Sequence, residues 1–176
     1  MTNIILSGAN GKMGQVITRI VEENDDLKIV AGIDINTSAK NDYPVYASPF
    51  DVKEEADVII DFSHPDCLEN LLAFAKEKKI GAVIATTGLN AAQKLMLNET
   101  SKDIPIFFSA NMSLGINLII DLAKRAAKLL SGNFDIEIIE KHHNQKIDAP
   151  SGTALAIADS ISEVLDETPS YVYDRH

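Results

Sequence analysis

Short apolar runs alternate with longer amphipathic segments over roughly the first two thirds of the chain. Most of the apolar runs are continuous, and each is bounded by Gly, Pro or polar residues; they are Ile4–Ser7, Leu27–Ile33, Val58–Asp61, Ala82–Ala85 and Ile106–Phe108. Strands that are apolar throughout are typical of a parallel sheet covered on both faces. The pattern therefore predicts five strands of such a sheet.

The segments between these runs carry apolar residues at three- and four-residue spacings, which predicts helices. They are Gly14–Glu23, Pro65–Lys78 and Ala91–Thr100. A repeated order of strand then helix predicts an α/β fold with a Rossmann-like doubly wound parallel sheet, whose ligands bind beyond the carboxyl ends of the strands. We assign this dinucleotide-binding domain to residues 1–110.

The pattern changes in residues 111–176. A longer apolar helix is predicted over Ser113–Leu130, and Phe134–Lys141 follow a partial two-residue alternation, as in a strand with one buried face. Another helix is predicted over Ala154–Leu165, closed by Pro169. These residues therefore predict a partial α+β domain for substrate binding and oligomerisation.

Composition and charge narrow the choice of partners. The chain has 16 Lys and Arg against 26 Asp and Glu, a net charge of −10, which disfavours binding to nucleic acid or to anionic membranes. The single Cys67, the lack of a signal segment and the lack of an apolar run of about 20 residues favour a soluble cytoplasmic protein. An anionic ligand must then be held by local features such as helix N-termini.

The first functional signal is the loop Gly8-Ala9-Asn10-Gly11-Lys12-Met13-Gly14, between the first strand and the first helix. Glycines there permit a tight turn and let backbone N–H groups approach a pyrophosphate. Asp34 ends the second strand about 20 residues further on, where an acid binds the ribose hydroxyls of a dinucleotide. Three glycines alone often form a plain turn, but this context predicts a site for NADH or NADPH. We expect NADH to bind at least as well as NADPH, because the Asp34 carboxylate repels the 2′-phosphate of NADPH.

The second signal is the run Glu140–Ala154. His142, His143 and Lys146 supply proton donors and positive charge, which suit the reduction of an anionic, imine-like substrate. Residues 151–153 open a helix whose N–H groups can bind a carboxylate. Each histidine alone is more often a surface or core residue, and only the neighbouring helix start favours catalysis. No metal is expected, since adjacent histidines on a strand point apart and neither a CxxC pair nor an HExxH helix is present.

The run Glu140–Ala154 resembles the signature of the dihydrodipicolinate reductase family. The glycine loop, Asp61-Phe62-Ser63, Ala85-Thr86-Thr87-Gly88 and Ser109-Ala110-Asn111-Met112-Ser113 are similar to further family segments, in order along the whole chain. Ala85 is a small departure, because many relatives have glycine there. The resemblance implies NADH- or NADPH-dependent reduction of the dicarboxylate 4-hydroxy-tetrahydrodipicolinate to tetrahydrodipicolinate, in the diaminopimelate route of lysine biosynthesis.

The resemblance also implies roles for individual residues. It makes His142 a proton donor or acceptor, Lys146 a proton donor and His143 a substrate contact. Gly152 and Thr153 are implied to bind a substrate carboxylate. The implied cofactor contacts are Gly8, Ala9, Asn10, Gly11, Lys12, Met13, Asp34, Ala85, Thr86, Thr87, Ser109, Ala110, Asn111 and Met112.

Members of the family usually continue for several tens of residues beyond the position of His176. The resemblance also implies that the protein is a homo-oligomer. We therefore expect this chain to lack the segment that completes the substrate-domain sheet and to expose a sheet edge. Two alternatives stay open: a truncated, catalytically impaired nucleotide-binding module, or another nicotinamide-dependent oxidoreductase. A short-chain dehydrogenase is disfavoured, because none of the four tyrosines begins a Tyr-x-x-x-Lys pair.

Overall fold

The chain folds into two compact units in the computed structural model, Met1–Ala110 and Asn111–His176. The structure describes residues 1–39, 41–142, 144 and 149–173. Within these ranges, every helix is too short or too polar to cross a lipid bilayer.

The first unit is built on one parallel sheet. Its strands are Thr2–Ser7 (β1), Leu27–Ile33 (β2), Val45–Tyr46 (β3), Val58–Asp61 (β4), Gly81–Ile84 (β5) and Ile106–Phe108 (β6). Their order is β3-β2-β1-β4-β5-β6, so the winding of the chain reverses between β1 and β4. In sheets of this order a ligand binds in the crevice at the carboxyl ends of the strands, where the winding reverses. The predicted doubly wound fold is confirmed.

Helices cover both faces of this sheet. They are Lys12–Glu22 (α1), Leu68–Lys78 (α2) and Ala91–Thr100 (α3). Neighbouring residues of β1 belong to different cores: Ile4 packs in a cluster with Val21 of α1, whereas Ile5 packs in a larger cluster with Phe74 of α2. Because β1 is buried on both sides, its apolar run has no polar face to alternate with.

The described part of the second unit contains the helices Leu114–Leu130 (α4) and Gly152–Ser162 (α5). The two helices pack together, and Lys124 Nζ of α4 lies 2.8 Å from Glu163 Oε2, just after α5. Residues 134–141 differ from the prediction, since they have no regular secondary structure. An alternating pattern favours extended backbone, but a strand also needs a neighbouring strand to bond its N–H and C=O groups. The described residues of this unit supply no such strand.

Phe74 provides a test of the larger core. Its side chain is 1% exposed, and its ring meets that of Phe50 edge-on, with the centroids 6.1 Å apart. We expect Phe74→Ala to lower the free energy of unfolding by about 3–5 kcal/mol, because the change removes a buried ring and leaves a cavity. Urea denaturation followed by circular dichroism measures this loss. Phe50→Ala is the control, since Phe50 is 51% exposed, and equal losses would contradict the assignment.

Candidate functional site

The loop between β1 and α1 packs the start of the helix tightly against the end of the strand. Gly8 has a φ of 79°, and a Cβ on it would lie 2.6 Å from the Phe62 carbonyl oxygen. A Cβ on Gly14 would lie 2.2 Å from the Gly8 carbonyl oxygen. Both distances are well below atomic contact and involve backbone atoms, so only glycine fits at either position.

Two residues of this loop face the interior. The N–H groups of Gly8 and Ala9 donate to the Ile33 carbonyl at 2.8 and 3.4 Å, which anchors the loop to the end of β2. Ala9 is fully buried in the core cluster beneath α1, whereas Gly11, Lys12 and Met13 are exposed. Gly11, Lys12 and Met13 are therefore the solvent-accessible part of the loop, whereas the side chain of Ala9 is not accessible; all of these cofactor contacts stay predictions.

The N-terminus of α1 is capped differently from those of α3, α4 and α5. In those three helices the N-cap side chains of Asn90, Ser113 and Ser151 accept a hydrogen bond from a backbone N–H of the first turn. The N-cap of α1 is Gly11, which has no side chain to do so. The N–H groups of residues 12–14 have no acceptor inside the helix. They are oriented to bind an anion, which the helix dipole also favours.

Asp34 lies directly after β2 and holds the tip of the glycine loop. Its Oδ2 accepts from the Asn10 N–H at 2.9 Å, and its Oδ1 accepts from the Asn36 N–H at 2.9 Å. The Asn41 amide donates in turn to Asn10 Oδ1 at 2.8 Å. Each carboxylate oxygen keeps a further lone pair, so Asp34 can still accept from a ribose hydroxyl beside the loop.

Tyr43 supports the loop from behind. Its hydroxyl lies 2.8 Å from Thr18 Oγ1 of α1, and its ring lies 2.9 Å from the position of a Cβ on Gly32. Burial raises the pKa of the Tyr43 hydroxyl, although the bond with Thr18 opposes this change. The hydroxyl is therefore neutral at physiological pH, and its hydrogen bond with Thr18 holds α1 in place.

The ends of β4 and β5 meet at a buried carboxylate. Asp61 is 1% exposed, and it accepts bonds from the hydroxyls of Thr86 and Ser63, each at 2.6 Å. Ala85 is also buried, whereas Thr87 is exposed. The side chain of Thr86 is thus directed into the protein. No role for Asp61 was predicted, although a carboxylate that ends an otherwise apolar strand was a usable signal.

The remaining predicted cofactor contacts follow β6. The Ser109 N–H donates to the Ile84 carbonyl at 3.1 Å, and Ala110 is exposed at the end of the first unit. Asn111 and Met112 belong to the second unit, where Asn111 Oδ1 accepts from the Ser113 N–H at 2.9 Å, just before α4. Within the first unit, the candidate residues therefore follow β1, β2, β5 and β6 at one edge of the sheet.

In the second unit, Glu140 connects His142 to the start of α5. His142 Nδ1 lies 3.5 Å from Glu140 Oε2. The other carboxylate oxygen of Glu140 accepts from the Ser151 N–H at 2.8 Å. Ser151 is the N-cap of α5, so His142 is connected to the turn that contains Gly152 and Thr153. No role for Glu140 was predicted, because the contacts that give it one join residues separated along the chain.

Two predicted residues of the second unit, His143 and Lys146, lie outside the described residues. Gly152 is exposed, and no atom lies within 4 Å of the position of a Cβ on it. The first turn of α5 is therefore accessible to a ligand, with its N–H groups directed outward from the helix N-terminus.

Comparison with known proteins gives consistent matches along the chain. A family model described as the N-terminus of dihydrodipicolinate reductase matches residues 2–112, and one for its C-terminus matches residues 115–173. The 4-hydroxy-tetrahydrodipicolinate reductase of Caldanaerobacter subterraneus subsp. tengcongensis is 56% identical over 176 residues, which cover 100% of this chain and 69% of the relative. That of Clostridium tetani is 48% identical over 175 residues, 99% of this chain and 69% of the relative.

A solved structure is also similar. Dipicolinate-bound dihydrodipicolinate reductase from Paenisporosarcina sp. TG-14 aligns with a TM-score of 0.76 and 28% identity, covering 100% of this chain and 71% of that one. The similarity therefore extends over both units of the chain, which spans about 69% of the length of the two named relatives.

The close contact at Gly14 generates a test of the dinucleotide site. We expect Gly14→Ala to weaken NADH binding by more than about tenfold, because the added methyl moves the first turn of α1 away from β1. Isothermal calorimetry measures the affinity. Gly115→Ala is the matched control in the first turn of α4, where a Cβ meets only Ser113 Oγ at 3.8 Å. Unchanged affinity in Gly14→Ala would remove the loop from the site.

Proposed function

The chain belongs to the dihydrodipicolinate reductase family, and we propose on this basis that it is a 4-hydroxy-tetrahydrodipicolinate reductase. It reduces this cyclic dicarboxylate to tetrahydrodipicolinate with NADH or NADPH, in the diaminopimelate route of lysine biosynthesis. The observation that carries the proposal is the uncapped N-terminus of α1 beside Asp34. The named relatives favour this function over an impaired nucleotide-binding module or another nicotinamide-dependent oxidoreductase.

The residues at the carboxyl edge of the sheet fit a nicotinamide dinucleotide. The N–H groups of residues 12–14 would hold the pyrophosphate, and the Asp34 carboxylate would accept from the adenine ribose. Thr87 and Ala110, exposed after β5 and β6, would then contact the nicotinamide half. When bound, the reduced cofactor supplies the hydride.

The residues around α5 bind the substrate and supply the proton. The N–H groups of Gly152 and Thr153 bind a substrate carboxylate at the helix N-terminus. Because His142 Nδ1 faces Glu140, its Nε2 is the nitrogen that exchanges a proton with the substrate. By resemblance, His143 contacts the substrate and Lys146 donates a proton.

Assembly and location are proposed from the same family membership. A homo-oligomer and a cytoplasmic location both stay predictions. The free thiol of Cys67 is consistent with a reducing compartment.

Activity of the parent chain and of His142→Gln tests the function. The parent should oxidise NADH only when the dicarboxylate substrate is added, as measured by the absorbance of the reduced nicotinamide. His142→Gln should lower kcat by about 10²-fold and leave KM nearly unchanged, because a proton-transfer group acts mainly in the transition state.

His64→Gln is the matched control for this experiment. His64 is an exposed histidine of the first unit, and its Nδ1 accepts a bond from the Asp66 N–H at 3.3 Å. We expect this variant to keep parental turnover. Full turnover in His142→Gln would exclude His142 from the mechanism, and a parent without substrate-dependent oxidation would overturn the proposed function.

Cofactor preference follows from Asp34. Its carboxylate accepts from a free 2′-hydroxyl but repels a 2′-phosphate, and residues 35–39 include no cation. Lys40, the first cation after them, lies outside the described residues, and Lys12 is exposed in the glycine loop. We therefore expect NADH to bind at least as tightly as NADPH. Calorimetric titration of both at two salt concentrations measures this, and tighter NADPH binding that weakens steeply with salt would assign the phosphate to a lysine.

A further inference from the structure

Asp61 is a buried charged group with no role in the proposed mechanism. It ends β4, which lies between β1 and β5 in the sheet, and it is 1% exposed. An ionised carboxylate is costly to bury unless hydrogen bonds replace the water that it loses. A carboxylate buried at the carboxyl edge of the sheet therefore needs hydrogen-bond donors close to it.

The donors that satisfy this carboxylate come from the two segments that follow β4 and β5. Asp61 Oδ1 accepts from the Ser63 hydroxyl at 2.6 Å and from the Ser63 N–H at 3.2 Å. Asp61 Oδ2 accepts from the Thr86 hydroxyl at 2.6 Å. The Ala85 N–H also donates to the Asp61 main-chain carbonyl at 2.9 Å. One residue thus connects both segments through its side chain and its backbone.

We propose that Asp61 is a positioning residue for the nicotinamide half of the cofactor. By holding the Thr86 hydroxyl inside the protein, it fixes the backbone from which the exposed Thr87 extends. Its side chain bonds Thr86 and Ser63 among the described residues, and it acts on the cofactor through them. The inference rests on the proposed function, because it assumes that residues 85–87 contact a nicotinamide dinucleotide.

Asp61 and the adenosine contacts lie on opposite sides of β1. Asp34 follows β2, whereas Asp61 ends β4 and Thr86 follows β5, on the other side of β1 in the sheet. ADP-ribose contains the adenosine and pyrophosphate parts of the cofactor but no nicotinamide. A comparison of the two ligands therefore separates a local positioning role from general damage to the fold.

Two variants remove the connection in different ways. A carboxylate can accept from all three donors, whereas the leucine of Asp61→Leu has a similar branched shape and no atom that accepts a hydrogen bond. Thr86→Val keeps the shape of the side chain and removes its donor. Thr86→Ser is the matched control, because it keeps the hydroxyl and removes the methyl group.

The experiment is calorimetric titration of NADH and of ADP-ribose, together with thermal unfolding of each variant without ligand. We expect Asp61→Leu and Thr86→Val to weaken NADH binding by about tenfold, the scale of a lost hydrogen bond to a charged group. Binding of ADP-ribose should stay within about twofold of the parent. Thr86→Ser should bind both ligands like the parent.

Three results would overturn the inference: unchanged NADH affinity in both variants, equal loss of both ligands, or Thr86→Ser behaving like Thr86→Val. If Asp61→Leu does not fold, Thr86→Val and its serine control decide the outcome. A parent chain that binds neither ligand would instead overturn the proposed dinucleotide site. Failure of the site and failure of the positioning role are therefore distinguishable.

Discussion

The arrangement of the cofactor edge depends on how closely α1 packs on the end of β1. Gly14 and Gly8 permit that approach, since any side chain at either position would overlap backbone oxygens. With the helix seated there, its first N–H groups face the crevice where the winding of the sheet reverses. Asp34 then bonds the Asn10 N–H from the neighbouring strand and fixes the tip of the loop. If α1 packed less closely on β1, its first N–H groups would move away from the crevice, and the bond from the Asn10 N–H to Asp34 would be strained or lost.

The N-terminus of α1 can attract an anion although the whole chain is negatively charged. The net charge is −10, which disfavours any anion at long range. At physiological salt, however, exposed charges more than about 8 Å away are largely screened. Backbone N–H groups in direct contact with a ligand are not screened in this way. A chain with this overall charge can therefore hold a pyrophosphate, provided that the contacts are made by the backbone at a helix N-terminus.

Local patterns explain what the sequence could predict. Leu27–Ile33, Val58–Asp61 and Ile106–Phe108 were predicted with the observed bounds, because each is a mainly apolar run bounded by polar residues or proline. The two-residue strand β3 is too short for any periodicity and was missed. The alternation over residues 134–141 indicated extended backbone but said nothing about a pairing strand. The bond between Asp61 and Thr86 joins residues 25 positions apart, and only the sheet order brings them together.

The glycine N-cap of α1 makes the stability of its first turn depend on a bound ligand. Without a ligand, the first turn of this helix has only water to bond its N–H groups, so it frays more readily than the side-chain-capped turns of α3, α4 and α5. A ligand that binds only the folded chain shifts the folding equilibrium toward it. The phosphate oxygens of a bound dinucleotide would accept from these N–H groups, as an N-cap side chain does in α3, α4 and α5. We therefore expect this turn to resist proteolysis and hydrogen exchange better with a bound dinucleotide than without one.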